Sequence, residues 1–370
     1  MHKKNAGLLL FALSLLLLTA CNQDQNILER VGYIRTGGID PAEEGKIRLT
    51  INVPLTINEG SNTKRLTETL TTVATGSKEA RNELSRKSSR KLVSGQLRTL
   101  LFNTELAKKG LNPYLDTLFR DPSISKRIEI VLTEGSTQEI ITSQYPGHPG
   151  VSQYIDQLLR KEFDMQNTPR ILLHHFFRDY YDDGKDPTAT MLVKKGNELE
   201  LDGIALFRKD KYVGKLEKDD IFYFTILKQE QKKGEFTLNT DRPELKSITF
   251  SAIKSKRKIK IKKNEEGKYI ADIGIRVEGG VLEYIGNLNL TKSDRKKLED
   301  LISEHMTKRA ELVLKKLRQH RSDPIGLGQY VRNKMTYSAW KDTDWSEMYA
   351  NMEIRVHSRF LMKNFGNLYN

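Results

Sequence analysis

The single cysteine of this 370-residue chain lies at position 21, at the end of an apolar leader. Lys3 and Lys4 open the leader, an apolar run fills residues 8–18, and Leu-Thr-Ala directly precedes Cys21. A lone thiol cannot form an intramolecular disulfide, so any folded domain of this chain must be stable without one. A chain of this length can bury enough core to meet that requirement.

The order of basic, apolar and small residues predicts a secretory signal peptide at residues 1–20. The apolar run is shorter than the roughly 20 residues that a membrane-spanning helix needs. A cysteine after Leu-Thr-Ala matches the bacterial lipobox, in which the thiol is acylated and becomes the first residue of the mature protein. We therefore predict lipidation at Cys21, a tether over residues 21–30, and a protein that its lipid anchors to a membrane. The alternative is an ordinary cleaved signal with an incidental cysteine.

The formal net charge of +14 falls to +12 when Lys3 and Lys4 are removed with the signal. This charge predicts attraction to anionic lipid headgroups or to an acidic partner. Nucleic acid is the other common partner of a basic chain, but an export signal separates the protein from DNA, so we expect no nucleic acid partner. With 37% hydrophobic and 30% charged residues, the chain is typical of a soluble globular body.

Strand and helix patterns alternate along the first half of the chain and predict a mixed α/β domain. Residues 47–53 alternate apolar and polar side chains, as a half-buried strand does. Residues 58–76 are rich in Thr, Ser, Asn and Gly, and we expect a mobile loop with at most a weak strand at its end. Further patterns predict a buried strand at 31–39, helices at 78–92 and 104–120, strands at 97–101 and 128–132, and a helix that Ser136 caps.

Hairpins and one long helix dominate the second half. Strands on either side of residues 208–211 predict a first hairpin, and strands around residues 264–267 predict a second. Apolar residues at three-and-four spacing then predict an amphipathic helix that Thr291 caps and Asp323-Pro324 ends, before a last strand at 352–358. The predicted fold class is therefore α+β, with mixed α/β domains, antiparallel-rich sheets and a long C-terminal amphipathic helix.

A cluster of Asp, Gly and Pro at residues 179–188 precedes a change in composition, and we place a domain boundary near residues 190–200. The predicted organisation is an N-terminal mixed α/β domain at 31–195 and a C-terminal α/β domain at 196–370. A further division near residue 245 stays open, so we expect two to three domains.

No combination of residues supports catalytic chemistry. The chain has no G-x-S-x-G elbow, P-loop or H-E-x-x-H motif, and it has no thiol besides Cys21 for Cys–His catalysis. His174 and His175 are adjacent, so we expect their side chains to diverge rather than to chelate one metal ion. We therefore predict no enzyme activity, no cofactor and no metal site.

Three further features have both a functional and a structural interpretation. The carboxylate cluster at residues 179–186 lacks the spacing of a calcium loop, and we expect a solvated turn. Seven lysines and arginines crowd residues 254–263, where they either contact lipid phosphates or an acidic partner or form an exposed strand face that deters aggregation, and the second is favoured. Trp340 and Trp345 suit an interface as well as the edge of a core.

Four groups of residues, in one order along the chain, resemble the motifs of a known family. The first is Gly38-Ile39-Asp40 before an alternating strand, and the second lies in residues 101–124. The third is a Gly-x-Ala-x-Phe hairpin at residues 203–216, and the fourth joins residues 323–328 to two late tryptophans. At these positions the chain resembles the Ger(x)C family, the C-subunit lipoproteins of spore germinant receptors. The matched residues include Glu105, Ala107, Gly110, Leu115, Asp116, Arg120, Asp121, Pro122, Asp210, Gly214, Asp323, Gly326, Gly328, Trp340 and Trp345.

The resemblance implies a lipid-anchored, non-catalytic subunit that acts with two integral membrane subunits in nutrient-triggered germination. It also implies a place on the outer face of the spore inner membrane and a mixed α/β fold in three domains. The alternative is a solute-binding lipoprotein that delivers a nutrient to a membrane transporter, which requires a closed cleft with converging polar groups.

Overall fold

The computed structural model describes residues 30–59, 62–166, 168–288 and 292–363, and within them the chain is α+β, as predicted. The predicted signal peptide, Cys21, the predicted tether up to residue 29 and Thr291 lie outside these residues. The strands are β1 (Val31–Tyr33), β2 (Thr36–Pro41), β3 (Ile47–Glu59), β4 (Asn62–Ala74), β5 (Lys91–Val93), β6 (Thr99–Asn103), β7 (Glu129–Thr133), β8 (Thr188–Lys195), β9 (Glu198–Arg208), β10 (Lys211–Glu217), β11 (Phe236–Arg242), β12 (Leu245–Lys263), β13 (Tyr269–Ile285) and β14 (Glu353–Met362). The helices are α1 (Ser77–Lys87), α2 (Thr104–Lys109), α3 (Asn112–Arg120), α4 (Thr137–Thr142), α5 (Val151–Asp164), α6 (Leu173–Tyr181), α7 (Ile221–Lys228), α8 (Lys292–Gln319), α9 (Leu327–Arg332), α10 (Tyr337–Lys341) and α11 (Trp345–Asn351).

Eight strands form the larger sheet, in the order β10-β9-β8-β7-β6-β2-β3-β4. Its central strands β8, β7, β6 and β2 are parallel, and antiparallel pairs extend the sheet on both sides. Leu100 and Phe102 of β6 pack in one core with α1, α2, α3 and α6, whereas Leu101 packs in a second core with α4 and α5. Because both faces are covered, β6 is a continuous apolar run rather than an alternating one.

The second sheet has four strands in the order β11-β12-β13-β14. β13 and β14 are parallel, and the 28-residue helix α8 lies between them in the sequence. The apolar stripe of α8, which includes Leu298, Ile302 and Met306, is buried in one core with Ile273 and Val356 of the sheet. The long amphipathic helix is therefore confirmed, and it packs on one face of this sheet.

Helix α8 also closes an edge of the second sheet. Glu299, Ser303 and Thr307, spaced four residues apart, accept hydrogen bonds of 2.8 to 2.9 Å from backbone N–H groups of alternate residues in β14. An open sheet edge presents unpaired N–H groups that attract other strands. The polar stripe beside the apolar stripe of α8 therefore satisfies the N–H groups along this edge.

Asp40 at the end of β2 is buried and caps helix α4. Its carboxylate oxygens lie 2.8 Å from the Thr137 backbone nitrogen and 2.9 Å from both Thr137 Oγ1 and the Gln138 nitrogen. N–H groups in the first turn of a helix have no partner within the helix, and a carboxylate at that end is stabilising. A Cβ on Gly38 would lie 2.5 Å from Thr137 Oγ1, so the glycine leaves room for this contact. The Gly-Ile-Asp motif thus joins a strand to a helix.

Most of the predicted elements are confirmed, but the loop expected at residues 58–76 is wrong. β4 occupies most of that segment and pairs antiparallel with β3. The hydroxyls of Thr50 and Thr71 lie 3.0 Å apart across the two strands. Threonine counts as polar in composition, but its branched Cβ favours strands and its hydroxyls form such cross-strand pairs.

The predicted boundary between residues 195 and 196 falls between β8 and β9, two paired strands of the larger sheet. That sheet continues to Glu217 at the end of β10. The second sheet begins at Phe236. The predicted domain limits stay a prediction.

Replacing Asp40 with alanine is expected to lower the free energy of unfolding by about 2 to 3 kcal/mol, because buried N–H groups of α4 lose their acceptor. Urea denaturation followed by circular dichroism measures the change. Glu43→Ala removes an exposed carboxylate nearby and is expected to change stability by less than about 0.5 kcal/mol. Equal effects of the two substitutions would contradict the capping role.

Candidate functional site

Residues of the second and third motifs meet at the turn of the β9–β10 hairpin. The Leu111 N–H donates to the carbonyl oxygen of Asp210 at 3.0 Å, and the Asn112 N–H donates to Asp210 Oδ2 at 3.0 Å. Gly110 has a φ of 115°, and a Cβ there would lie 2.6 Å from Asp210 Oδ2. Glycine is the residue that combines this backbone with so close an approach.

Asp186 connects the same hairpin to the fourth motif. Its Oδ1 accepts a hydrogen bond from the Lys209 N–H at 3.0 Å, and its Oδ2 accepts one from the Asp323 N–H at 2.9 Å. Beside this bridge, Ser322 Oγ donates to the carbonyl oxygen of Phe207 at 2.6 Å. Asp186 and Asp323 are 137 residues apart in the sequence, so the bridge holds the region before β8 to the region after α8.

Asp323 is buried and organises the turn before helix α9. Its Oδ1 accepts from the Gly326 N–H and its Oδ2 from the Gly328 N–H, each at 2.8 Å. Burial raises the pKa of Asp323 to about 7, and the charge of Asp186 adds to this effect while the N–H groups oppose it. Burial also raises the pKa of Asp186. The Asp-x-x-Gly-x-Gly motif is therefore a turn built around one carboxylate.

Two glycines let the same regions touch through their backbones. A Cβ on Gly184 would lie 2.5 Å from the Gly328 carbonyl carbon, and a Cβ on Gly328 would lie 2.7 Å from Trp345 Cε2. Trp340, Trp345 and Tyr349 follow as a row of rings with centroids 5.7 to 5.8 Å apart. The two tryptophans are only 6% and 8% exposed, so they belong to the core. We call this group of contacts the motif junction. Its residues are Gly110, Gly184, Asp186, Asp210, Asp323, Gly328 and Trp345.

The carboxylate cluster before β8 is not the solvated turn that we expected. Asp179 and Asp186 are 3% and 9% exposed. Asp182 accepts hydrogen bonds from Gln329 Nε2 at 2.6 Å and from Arg332 Nη1 at 3.2 Å. The expectation was wrong because these partners come from helix α9, about 150 residues further along the chain, and a local sequence pattern does not show them.

A cleft of about 620 Å³ lies beside the motif junction. Its lining carries both signs of charge, with Arg321 and Lys341 among the cations and Asp183 and Asp344 among the carboxylates, and it also includes the two tryptophans. The carboxylates of Asp186 and Asp323 also line it, but their oxygens are already bound to backbone N–H groups. The cleft is therefore of mixed charge, and its buried carboxylates serve the fold.

Lys228 lies in the wall of a smaller cavity of about 130 Å³, near α6 and β8. Its Nζ donates to Thr188 Oγ1 at 3.0 Å. Burial lowers the pKa of Lys228 to about 7 and the pKa of His175, in the same wall, to about 4. The neighbouring cation Arg178 contributes to both shifts. Burial at this cavity thus disfavours the protonated forms of Lys228 and His175.

The adjacent histidines do not diverge as expected. The ring centroids of His174 and His175 lie 4.0 Å apart, and each Nδ1 lies 3.1 Å from a backbone carbonyl oxygen, that of Lys126 or Arg170. Across the described ranges, no group of three or more His, Cys, Asp or Glu side chains is placed to hold a metal ion. In the same part of the chain, no helix is both long and apolar enough to cross a membrane.

The basic segment at residues 254–263 forms the second half of β12. Its lysines at even positions are exposed on one face of the sheet. Arg257 lies on the other face, where its Nη1 donates to the carbonyl oxygen of Leu227 at 2.5 Å. The segment is therefore an exposed strand face with one cation turned inward, an arrangement that both interpretations of the segment share.

Two family models match the chain. One, described as "Spore germination protein N-terminal domain", covers residues 24–194, and the other, "Spore germination B3/ GerAC like, C-terminal", covers residues 202–366. The chain belongs to the GerAC family of spore germination proteins. Between them the two matches include every motif of the junction.

Similar proteins agree with this assignment. The chain is 28% identical over 351 residues to the spore germination protein GerQC of Bacillus cereus, a match that spans 94% of this chain and 95% of that one. The crystal structure of the GerBC protein matches with a TM-score of 0.56 and 20% identity, and it covers 91% of this chain and 100% of GerBC. The match to GerBC supports the fold described above for this chain.

Gly184→Ala is expected to lower the free energy of unfolding by about 1 to 3 kcal/mol, because a new Cβ forces two backbones apart at the motif junction. Gly135→Ala is the matched control, since the nearest atom to its Cβ would be 3.9 Å away. Chemical denaturation of the two variants measures the difference. A Gly184→Ala protein as stable as the control would show that the junction tolerates separation.

Lys228 predicts a pH dependence of stability. Its folded pKa lies below its unfolded value, so from about pH 8 to pH 9.5 the unfolded chain binds the extra proton and stability rises with pH. The rise is at most about 2 kcal/mol over this window. Lys228→Met is expected to remove it, whereas the exposed control Lys315→Met retains it. Urea midpoints at both pH values test this. If stability rises with pH in Lys228→Met as much as in the wild type, the rise does not come from Lys228.

Proposed function

We propose that this chain is the lipid-anchored, non-catalytic subunit of a spore germinant receptor, and that it acts with two integral membrane subunits in nutrient-triggered germination. The observation that carries the proposal is the position of Cys21. The family match begins at residue 24, three residues after the predicted lipidation site. A signal and an acylated cysteine thus account for the part of the chain that precedes the matched domains.

The arrangement of charged groups supports a subunit rather than an enzyme. Asp323, the carboxylate of the motif junction whose pKa burial raises to about 7, has both oxygens bound to backbone N–H groups. A catalytic acid or base needs a free position from which to reach a substrate proton. The junction instead gives a rigid body whose outer surfaces are available to partners.

The solute-binding alternative requires polar groups that converge on an enclosed ligand. The cleft beside the junction carries both signs of charge, and its buried carboxylates face their own backbone partners. The geometry therefore favours the receptor subunit over a protein that captures a nutrient in this cleft.

Cys21→Ala tests the anchor. Cells that express the chain are fed an alkyne-labelled palmitate, and the purified protein is assayed for the label. The wild type and the neighbouring control Asn22→Ala are expected to carry the label, and Cys21→Ala is expected to lose it completely. Label on the alanine variant, or none on the wild type, would falsify lipidation at this residue.

The proposed partners are tested in spore membranes. A tagged wild-type chain, solubilised in mild detergent, is expected to co-purify with two integral membrane proteins. Spores that lack the chain are expected to lose the nutrient-triggered fall in optical density. Purification without membrane partners, together with normal germination of the mutant spores, contradicts a receptor role.

A further inference from the structure

The solvent face of the second sheet carries a two-dimensional array of cations. Lys256 of β12 lies directly opposite Arg276 of β13, and Arg276 lies opposite Arg359 of β14. Paired residues of neighbouring strands share a face and are separated by about 5 Å. We define the basic sheet face by its exposed cations. They are Lys254, Lys256, Lys258, Lys260, Lys262, Arg276, Arg355 and Arg359.

Carboxylates compensate only part of this charge. Asp272 pairs with Lys262 at 2.8 Å, while Glu278 pairs with Arg276 at 2.9 Å. Glu353 pairs with Arg355 at 2.7 Å. In the described part of the chain, the remaining cations of the face have no carboxylate within 4.0 Å. They are Lys254, Lys256, Lys258, Lys260 and Arg359.

Protection of a sheet edge does not account for the whole array. Lysines on an exposed edge strand deter pairing with other chains. This reason applies to the part of β12 after Phe250, where the pairing with β11 has ended. It does not apply to Arg276, because β13 is paired on both sides. It does not apply to Arg359 either, because α8 closes the edge of β14. Like charges opposite each other are destabilising, and Glu278 offsets only the middle cation of this row of three, so edge protection leaves the row without a structural reason.

We propose that the basic sheet face docks on the anionic surface of a membrane. Its four lysines without a carboxylate partner occupy every second position of β12. From Lys254 to Lys262 the face extends for roughly 27 Å. Extended positive surfaces of this kind are attracted to anionic headgroups, and each lysine or arginine near the surface strengthens binding about fivefold.

The choice of a membrane over an acidic protein rests on the proposed lipid anchor. Arg30 follows Cys21 by nine residue steps, and a fully extended chain of that length spans at most about 32 Å. An acylated Cys21 therefore keeps the folded body within reach of the bilayer. A single acyl chain gives marginal binding, so stable attachment needs a second contact, which the basic sheet face supplies.

Vesicle co-sedimentation tests the proposal without the lipid. The probe is the chain from residue 22 onward, which contains every residue of the described fold, mixed with phosphatidylcholine vesicles that contain either no phosphatidylglycerol or about 30% of it. The wild type is expected to bind the anionic vesicles, to ignore the neutral ones and to dissociate as salt screens the charge. The quadruple variant K254E/K256E/K258E/K260E is expected to bind the anionic vesicles at least about 50-fold more weakly than the wild type.

A charge-matched control separates this face from overall charge. K78E/K109E/K232E/K315E changes four exposed lysines elsewhere and is expected to bind within about threefold of the wild type. If the glutamate variant of the face does not fold by circular dichroism, the lysine-to-glutamine variant of the same positions replaces it, with an expected loss of at least about tenfold.

Two outcomes overturn the proposal. Equal losses in both variants show that only net charge attracts the membrane. A wild type that ignores anionic vesicles, combined with impaired germination of spores carrying the reversed face, indicates an acidic protein as the occupant. The palmitate label on Cys21 is read separately, so failure of the docking face and failure of the lipid anchor are distinguishable.

Discussion

Asp186 and Asp323 are two buried carboxylates whose hydrogen bonds come from backbone N–H groups of the chain itself. Lys209, Asp323, Gly326 and Gly328 are the donors. A buried charge is costly unless it is paired or hydrogen-bonded, so these carboxylates are tolerated only when the hairpin turn, the segment before β8 and the segment after α8 are all in place. The motif junction therefore couples the stability of these three segments.

The close backbone contacts reinforce this dependence. Gly110 and Gly184 each face atoms within 2.6 Å of where a Cβ would stand, so neither region can move away from its partner and keep its packing. The junction joins the larger sheet, through the β9–β10 hairpin, to helices α9 and α11. A rigid connection of this kind is compatible with the proposed subunit, which would present fixed surfaces to its partners.

The sequence analysis succeeded where local patterns decide the structure. Alternation identified β13 and β14, three-and-four spacing identified α8, and Ser136 marked the start of α4. It failed where partners are distant in sequence. Asp186 looked like part of a solvated turn because its donors lie near residues 209 and 323, and β4 looked like a loop because its threonines are polar. Lys228 gave no signal, since one lysine at the end of an apolar helix is ordinary until the fold surrounds it.

Several residues that carry the family resemblance also build the junction. Gly110, Asp210 and Asp323 carry the resemblance, and each is engaged in a backbone contact or hydrogen bond within the chain. A relative with 28% identity can therefore share this framework while most of its surface differs. Exposed faces are then free to carry features of their own. The basic sheet face has this character, because its cations are arranged on a buried framework of Ile273, Ile275 and Val356 and make few contacts of their own.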